Sequence, residues 1–150
     1  MPDCTTTSIE FGRLGRRKIE ANFNGGDISS DGGVILLSQV YRKIGLSKAV
    51  AEAIYDPRDP FLIKHTMESL VSQRIYAMSC GYEDLNDHGQ IRKDILMQTA
   101  LERDEDLASS PTLSRLETRV SRSDIIELSR VLIDLFIAKH VKSPKELILD

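Results

Sequence analysis

The closing run Glu146-Leu147-Ile148-Leu149-Asp150 has the pattern of an apolar strand that delivers a carboxylate. A carboxylate at the end of a strand can act as a metal ligand at a sheet edge. Asp150 is therefore the candidate catalytic and metal-binding residue. One carboxylate is not an active site. Two-metal phosphoryl chemistry needs several acids around two divalent ions roughly 3.5–4 Å apart. The chain reads as the front part of an enzyme, with the chemistry beginning where the sequence stops. An ordinary strand whose last residue is acidic has the same appearance.

A second constellation is basic. Two helices expected on either side of Val120-Ser121 have a connection short enough to resemble a helix-turn-helix. Arg115 and Arg119 are four residues apart and share a face. Ser114 lies beside that face, and Arg122 follows the turn. Hydroxyls and arginines near a helix N-terminus suit contact with phosphate. Short turns between helices also occur in any helical protein. Arg16, Arg17 and Lys18 form a second candidate group for phosphate contact. A solvated, flexible terminus accounts for them as well.

Other clusters carry less. Glu83, Asp84 and Asp87 are close enough in sequence to suggest a cation site, but the stretch lacks the glycine and carbonyl pattern of an EF-hand loop. It reads better as polar side chains capping a helix. Ser29–Gly33 has no Gly-Lys-Ser/Thr ending, which excludes a nucleotide loop. Cys4 and Cys80 have no ligand spacing, and Cys80 reads as a buried thiol. His65, His88 and His140 are isolated and read as structural or exposed. No Ser-His-Asp or Cys-His arrangement stands out.

The elements that must position these residues are mostly helical. Residues 1–18 read as a flexible basic arm. A helical domain is expected over 19–143, and 144–150 as the first strand of a further domain. Ile19 to Phe23 suggests a short strand. Ser30 or Asp31 is the expected N-cap of a helix with Leu36, Leu37, Val40, Tyr41 and Ile44 at helical spacing. Gly45 should end it, and Ser47 can cap a short helix with Leu46, Val50 and Ile54 inward. Asp56-Pro57-Arg58-Asp59-Pro60 is a turn. A long helix is expected from about Leu62 to Ser79 and another over Ile91 to Leu101. Ser109-Ser110-Pro111-Thr112 is a strong helix start. Ser121 or Ser123 caps a last helix, to about His140, with Ile125, Leu128, Leu132, Leu135 and Phe136 inward.

Bulk properties fit one folded domain. The chain has 150 residues, 41% hydrophobic and 29% charged, with aromatics at 5% and no Trp, so Leu, Ile, Val and Ala must fill the core. Net charge is -3, which by itself does not suggest a nucleic-acid partner. Residues 83–106 are net acidic and 111–145 net basic, which suits a face offered to a polyanion or a solvated helix face. No run reaches membrane-span length and no apolar signal region opens the chain, so a cytoplasmic protein is expected.

Five motifs in order, "ISSDGG", "DPRDP", "GYEDLNDH", "LASSPTLSRLETRV" and "ELILD", resemble the N-terminal part of bacterial insertion-sequence DDE transposases, the set called DDE transposase group 1. The resemblance covers about Phe23 to Asp150. It implies DNA transposition by a ribonuclease H-like domain in which three acids bind two Mg2+ ions. The first catalytic Asp of such proteins lies on the first strand, in a Leu-Asp-x-Asp-x-Thr pattern. Asp150 matches its first Asp, and the second Asp and the Glu have no counterpart. The fold this implies is mainly α, with a short N-terminal strand and a terminal strand that would begin the ribonuclease H-like domain. The implied partner is double-stranded DNA at transposon ends, with Arg115, Arg119, Arg122 and Ser114, and then Arg16, Arg17 and Lys18, as contacts. A homodimer is a further candidate assembly. This chain alone is expected not to cleave or join DNA and to need no cofactor. The alternative is a helical packing or dimerisation module with little DNA affinity.

Overall fold

The computed structural model describes residues 8–21, 31–140, 142, 144 and 146. Asp150, the apolar run before it, Ser29 and Ser30, Phe23 and Cys4 lie outside the described residues. Among those described, the protein is mainly helical, with seven α-helices and one two-stranded antiparallel sheet.

Residues 9–18, expected as part of a flexible arm, instead enter a hairpin. Strands β1 (Ile9–Leu14) and β2 (Arg17–Ala21) pair antiparallel, and Leu14 faces Arg17 across a two-residue turn. Gly15 takes the positive φ of 56° that this turn requires. The register shifts between Glu10 and Gly12, leaving Phe11 as the extra residue, and Phe11 packs on the first core cluster. The described part of the strand expected at Ile19–Phe23, Ile19–Ala21, lies in β2 with Arg17 and Lys18 and pairs with β1. In β1 the apolar residues Ile9, Phe11 and Leu14 do not keep a strict period of two, because the register shifts at Phe11.

Helix α1 (Val34–Ile44) starts after Gly33 with no side-chain cap. The Asp31 carbonyl accepts from Val34 N at 2.9 Å, while its carboxylate accepts from the Tyr82 hydroxyl at 2.7 Å. Asp31 therefore anchors a distant loop rather than capping the helix. Val34, Ile35 and Ser38 are buried, whereas Leu36 and Val40 are exposed. Four consecutive apolar residues leave the inward face open in the sequence, and packing against α5 (Ile95–Ala100) decides it. Gly45, at φ 74°, ends α1 and is also the N-cap of α2 (Leu46–Glu52). Ser47 is consequently a buried helix residue rather than a cap.

The expected helix from Leu62 is divided. Asp59 caps a 3-10 turn at Pro60–Leu62, and α3 (Met67–Ser79) begins only at the Thr66 cap, whose hydroxyl accepts from Ser69 N at 3.1 Å. Helix α3 is the centre of the molecule. Tyr76 and Ala77 join one core cluster with Val34, Ile35, Ile91 and Met97. Met67, Leu70 and Val71 join another with Ile54, Ala108, Leu113 and Leu116. Cys80, just past α3, is only partly buried, and burial raises its thiol pKa.

Arg74 of α3 donates to the carbonyls of Tyr82 and Glu83 and pairs with Glu117 at 2.6 Å, which shapes the 81–88 loop. Asp84 there accepts from Asn86 N at 2.9 Å, the local capping expected of these acids. The helix expected at Ile91–Leu101 is two pieces, α4 (His88–Ile91) and α5. Asp94 interrupts it by accepting from Met97 N at 2.8 Å. Two longer helices follow, α6 (Ser110–Arg119) and α7 (Arg122–Lys139).

Candidate nucleic-acid interface

Helix α6 begins at the Ser109 N-cap with Pro111 in its first turn, as Ser109–Thr112 led one to expect. Leu113 and Leu116 anchor it in the second cluster, together with Val120. This orientation leaves Ser114, Arg115 and Thr118 exposed. Two residues, Val120 and Ser121, connect it to α7. A reciprocal capping box fixes that corner. Ser121 Oγ accepts from Asp124 N at 3.2 Å, and Asp124 Oδ2 accepts from Ser121 N at 2.7 Å. Bonds from the Ser121 hydroxyl and then its backbone N–H hold the Asp124 carboxyl below the usual range.

The three helical arginines differ in state. Arg115 and Arg122 are exposed, and no hydrogen bond or ion pair joins either side chain to another described residue. They stand before and after the α6–α7 corner. Arg119 is turned inward, 3.6 Å from Asp56 Oδ1. Asp56 already accepts from Arg58 Nε at 2.7 Å and Nη2 at 2.6 Å. Those bonds depress its pKa. Arg119 is therefore partly committed to holding α6 against the Asp56–Pro60 turn.

The N-terminal basic group is not brought to this corner. The hairpin packs on the first cluster through Phe11, whereas α6 and Val120 pack on the second. Arg16 is exposed at the turn. Lys18 pairs with Glu10 across the hairpin at 2.9 Å and with Glu20 on its own strand, so it is engaged by two carboxylates. Arg17 is half-buried, with one Nη lacking a hydrogen-bond partner.

Sequence reasoning missed an adjoining cavity of about 620 Å³. Arg58, Lys64, His65, Arg92, Ser109 and Thr112 line it, with Asp59 and Asp106. His65 Nδ1 and Arg92 Nε are buried there without hydrogen-bond partners. Burial, then the nearby Arg103 and Lys64 charges, lower the His65 pKa. Arg92 pairs with Asp106 at 2.5 Å and Lys64 with Glu105 at 3.7 Å, so much of the lining charge is balanced locally. The acidic-basic spacing of Asp56-Pro57-Arg58 was the available signal for this neighbourhood.

Among the described residues no group of three His, Cys, Asp or Glu side chains is placed to hold a metal ion, and none of their helices is long and apolar enough to cross a membrane. No curated protein and no solved structure matches the chain. A family model described as transposase DDE domain group 1 matches residues 11–150, and the chain belongs to that family.

Proposed function

We propose that this chain acts in DNA transposition by binding double-stranded DNA at transposon ends, the terminal inverted repeats. The carrying observation is the pair of exposed, uncommitted guanidinium groups, Arg115 and Arg122, at the rigid α6–α7 corner. Arginine on a fixed helix corner offers bidentate donors to phosphate without ordering a loop. Ser114 adds a hydroxyl on the same exposed side. Arg119 serves mainly to position α6, and Arg16 is a more distant contact.

The family normally uses a divalent metal. The described residues do not fit such a centre, and Asp150 lies outside them. No cleavage step is assigned to this chain. The ribonuclease H-like strand implied by the family falls at the same terminal segment.

A test is fluorescence anisotropy with duplex DNA. Arg115→Ala with Arg122→Ala is expected to weaken binding about tenfold or more while leaving the helical circular dichroism intact. Equal affinity in the double variant would remove the reading. The exposed apolar face of α7 favours a second reading, a packing or dimerisation module.

A further inference from the structure

The cavity of about 620 Å³ beside the first turn of α6 lies in the range that holds small ligands, roughly 300–1,000 Å³. Its walls are already braced. Arg58 Nη1 donates to the His65 carbonyl at 2.9 Å and closes the 58–65 segment on itself. Asp59 Oδ1 accepts from Phe61 N at 3.0 Å, and Pro60 stiffens the same turn. On the other side the Arg92 carbonyl accepts from Leu107 N at 2.9 Å, which ties the end of α4 to the segment leading into α6.

The chemistry of the lining is mixed. Leu62, Ile63 and Leu107 supply apolar surface. Arg58, Lys64 and Arg92 pair with Asp56, Glu105 and Asp106, and Asp59 adds a further carboxylate to the wall. A bare anion gains little from cations that are already matched, and the carboxylates oppose it. A neutral planar ring with donors and acceptors on its edge suits such a lining better. Arg92 makes one side-chain hydrogen bond, to Asp106 at 2.5 Å, although a guanidinium has five N–H donors. Its Nε is buried without a partner. Arg92 and Asp106 thus set spare donors beside an acceptor.

We propose that this cavity takes a single unpaired guanine nucleotide, its base on the apolar lining and its edge on Arg92 and Asp106. Guanine carries the acceptors O6 and N7 and the amino donor N2, which match an arginine and a carboxylate in turn. Phe61 and Leu62 are 96% and 83% exposed on the Pro60–Leu62 turn, and Leu62 belongs to the lining. They give an entering base an apolar and aromatic rim on which to stack. Lys64 is paired only across 3.7 Å with Glu105, both largely exposed, a weak bond that the nucleotide's phosphate can displace.

The proposal deepens the DNA-binding reading and rests on it for the source of the nucleotide. Thr112 of the lining lies three residues before Arg115 on α6, about 4.5 Å along the axis. That is between one and two base steps of about 3.4 Å. A strand held at Arg115 therefore has a neighbouring base within reach of the cavity once that base is unpaired. A free guanine nucleotide offers the same chemistry.

Fluorescence anisotropy of the full chain tests the site with three duplexes of one sequence: fully paired, with one unpaired dG, and with an abasic position in its place. The unpaired dG should tighten binding about tenfold over the other two. Phe61→Ala and Arg92→Met should each reduce that preference and leave affinity for the paired duplex unchanged. Phe61 is exposed, so its variant should keep its circular dichroism whatever Arg92→Met does. Equal affinity for the three duplexes, or a preference that survives in either folded variant, would overturn the proposal. Titration with dGMP, dTMP and inorganic phosphate in the absence of DNA separates the sources. Saturation by dGMP alone supports the site with a free nucleotide as its occupant, whereas dTMP or phosphate binding as well as dGMP overturns it. Binding of the paired duplex with no base preference would remove this site and leave the DNA reading standing. Binding of dGMP with no affinity for any duplex would do the reverse.

Discussion

Gln73 joins the two halves of the core by imitating a strand. Its Oε1 accepts from Ala108 N at 2.9 Å, and its Nε2 donates to Ala108 O at 2.9 Å and to His88 Nδ1 at 3.0 Å. Both amide hydrogens and the oxygen are used, and the residue is 1% exposed. Gln73→Leu strands the Ala108 N–H and carbonyl and the His88 acceptor. A loss of about 2–4 kcal/mol in urea unfolding is expected. The same geometry makes His88 an acceptor at Nδ1, so the ring is the neutral Nε2–H form. Burial first, and then the Arg74 charge, depress its pKa. An unfolded histidine takes up its proton near pH 6.5. The His88 contribution is therefore complete above about pH 6.5 and lost as pH falls through the lower folded-state value. Unfolding midpoints between pH 7 and 5 should fall more steeply in the wild type than in His88→Gln. Equal slopes would contradict this. None of the pairing was legible in the sequence, which left His88 as structural or exposed. Ala108 is 35 positions from Gln73, and a glutamine has no periodicity that announces a bond to a remote backbone.

Helix boundaries followed local chemistry wherever caps were strong. Pro111 and the serines placed α6, and Ser121 placed α7. Removing that hydroxyl in Ser121→Ala should cost about 1 kcal/mol, read as a lower thermal midpoint. An unchanged midpoint would show the capping box to be idle. Boundaries set by less obvious caps were missed. Thr66 delays α3, and Asp94 breaks the helix expected over Ile91–Leu101. Two of the five residues of the expected α7 stripe face inward. Leu128 and Leu135 face inward and are partly covered, but Ile125, Leu132 and Phe136 are exposed. Periodicity identifies which residues want cover. It does not say whether the neighbouring elements are wide enough to supply it.

Across the whole molecule the charge pattern means less than its sequence distribution suggested. Three acids of the 83–106 stretch are tied to arginines, Glu102 to Arg42, Glu105 to Arg103 and Asp106 to Arg92. Arg74 and Glu117 tie α3 to α6 in the same way. Part of the stretch's charge is thus balanced by internal pairing, and the net charge of -3 gives no general attraction to DNA. On the proposed DNA-binding reading, attraction comes from cations without internal partners, and Arg115 and Arg122 meet that condition. The helix-turn-helix spacing pointed to this corner, while only the fold could show that Arg119 and Lys18 are engaged. The most direct test is the slope of log affinity against log salt for duplex DNA. The account predicts a clear salt dependence in the wild type. It also predicts a slope shallower by about 0.9 for each of Arg115→Ala and Arg122→Ala, and nearly unchanged for Lys18→Ala. An affinity that ignores salt, or slopes unaffected by either arginine, would contradict it.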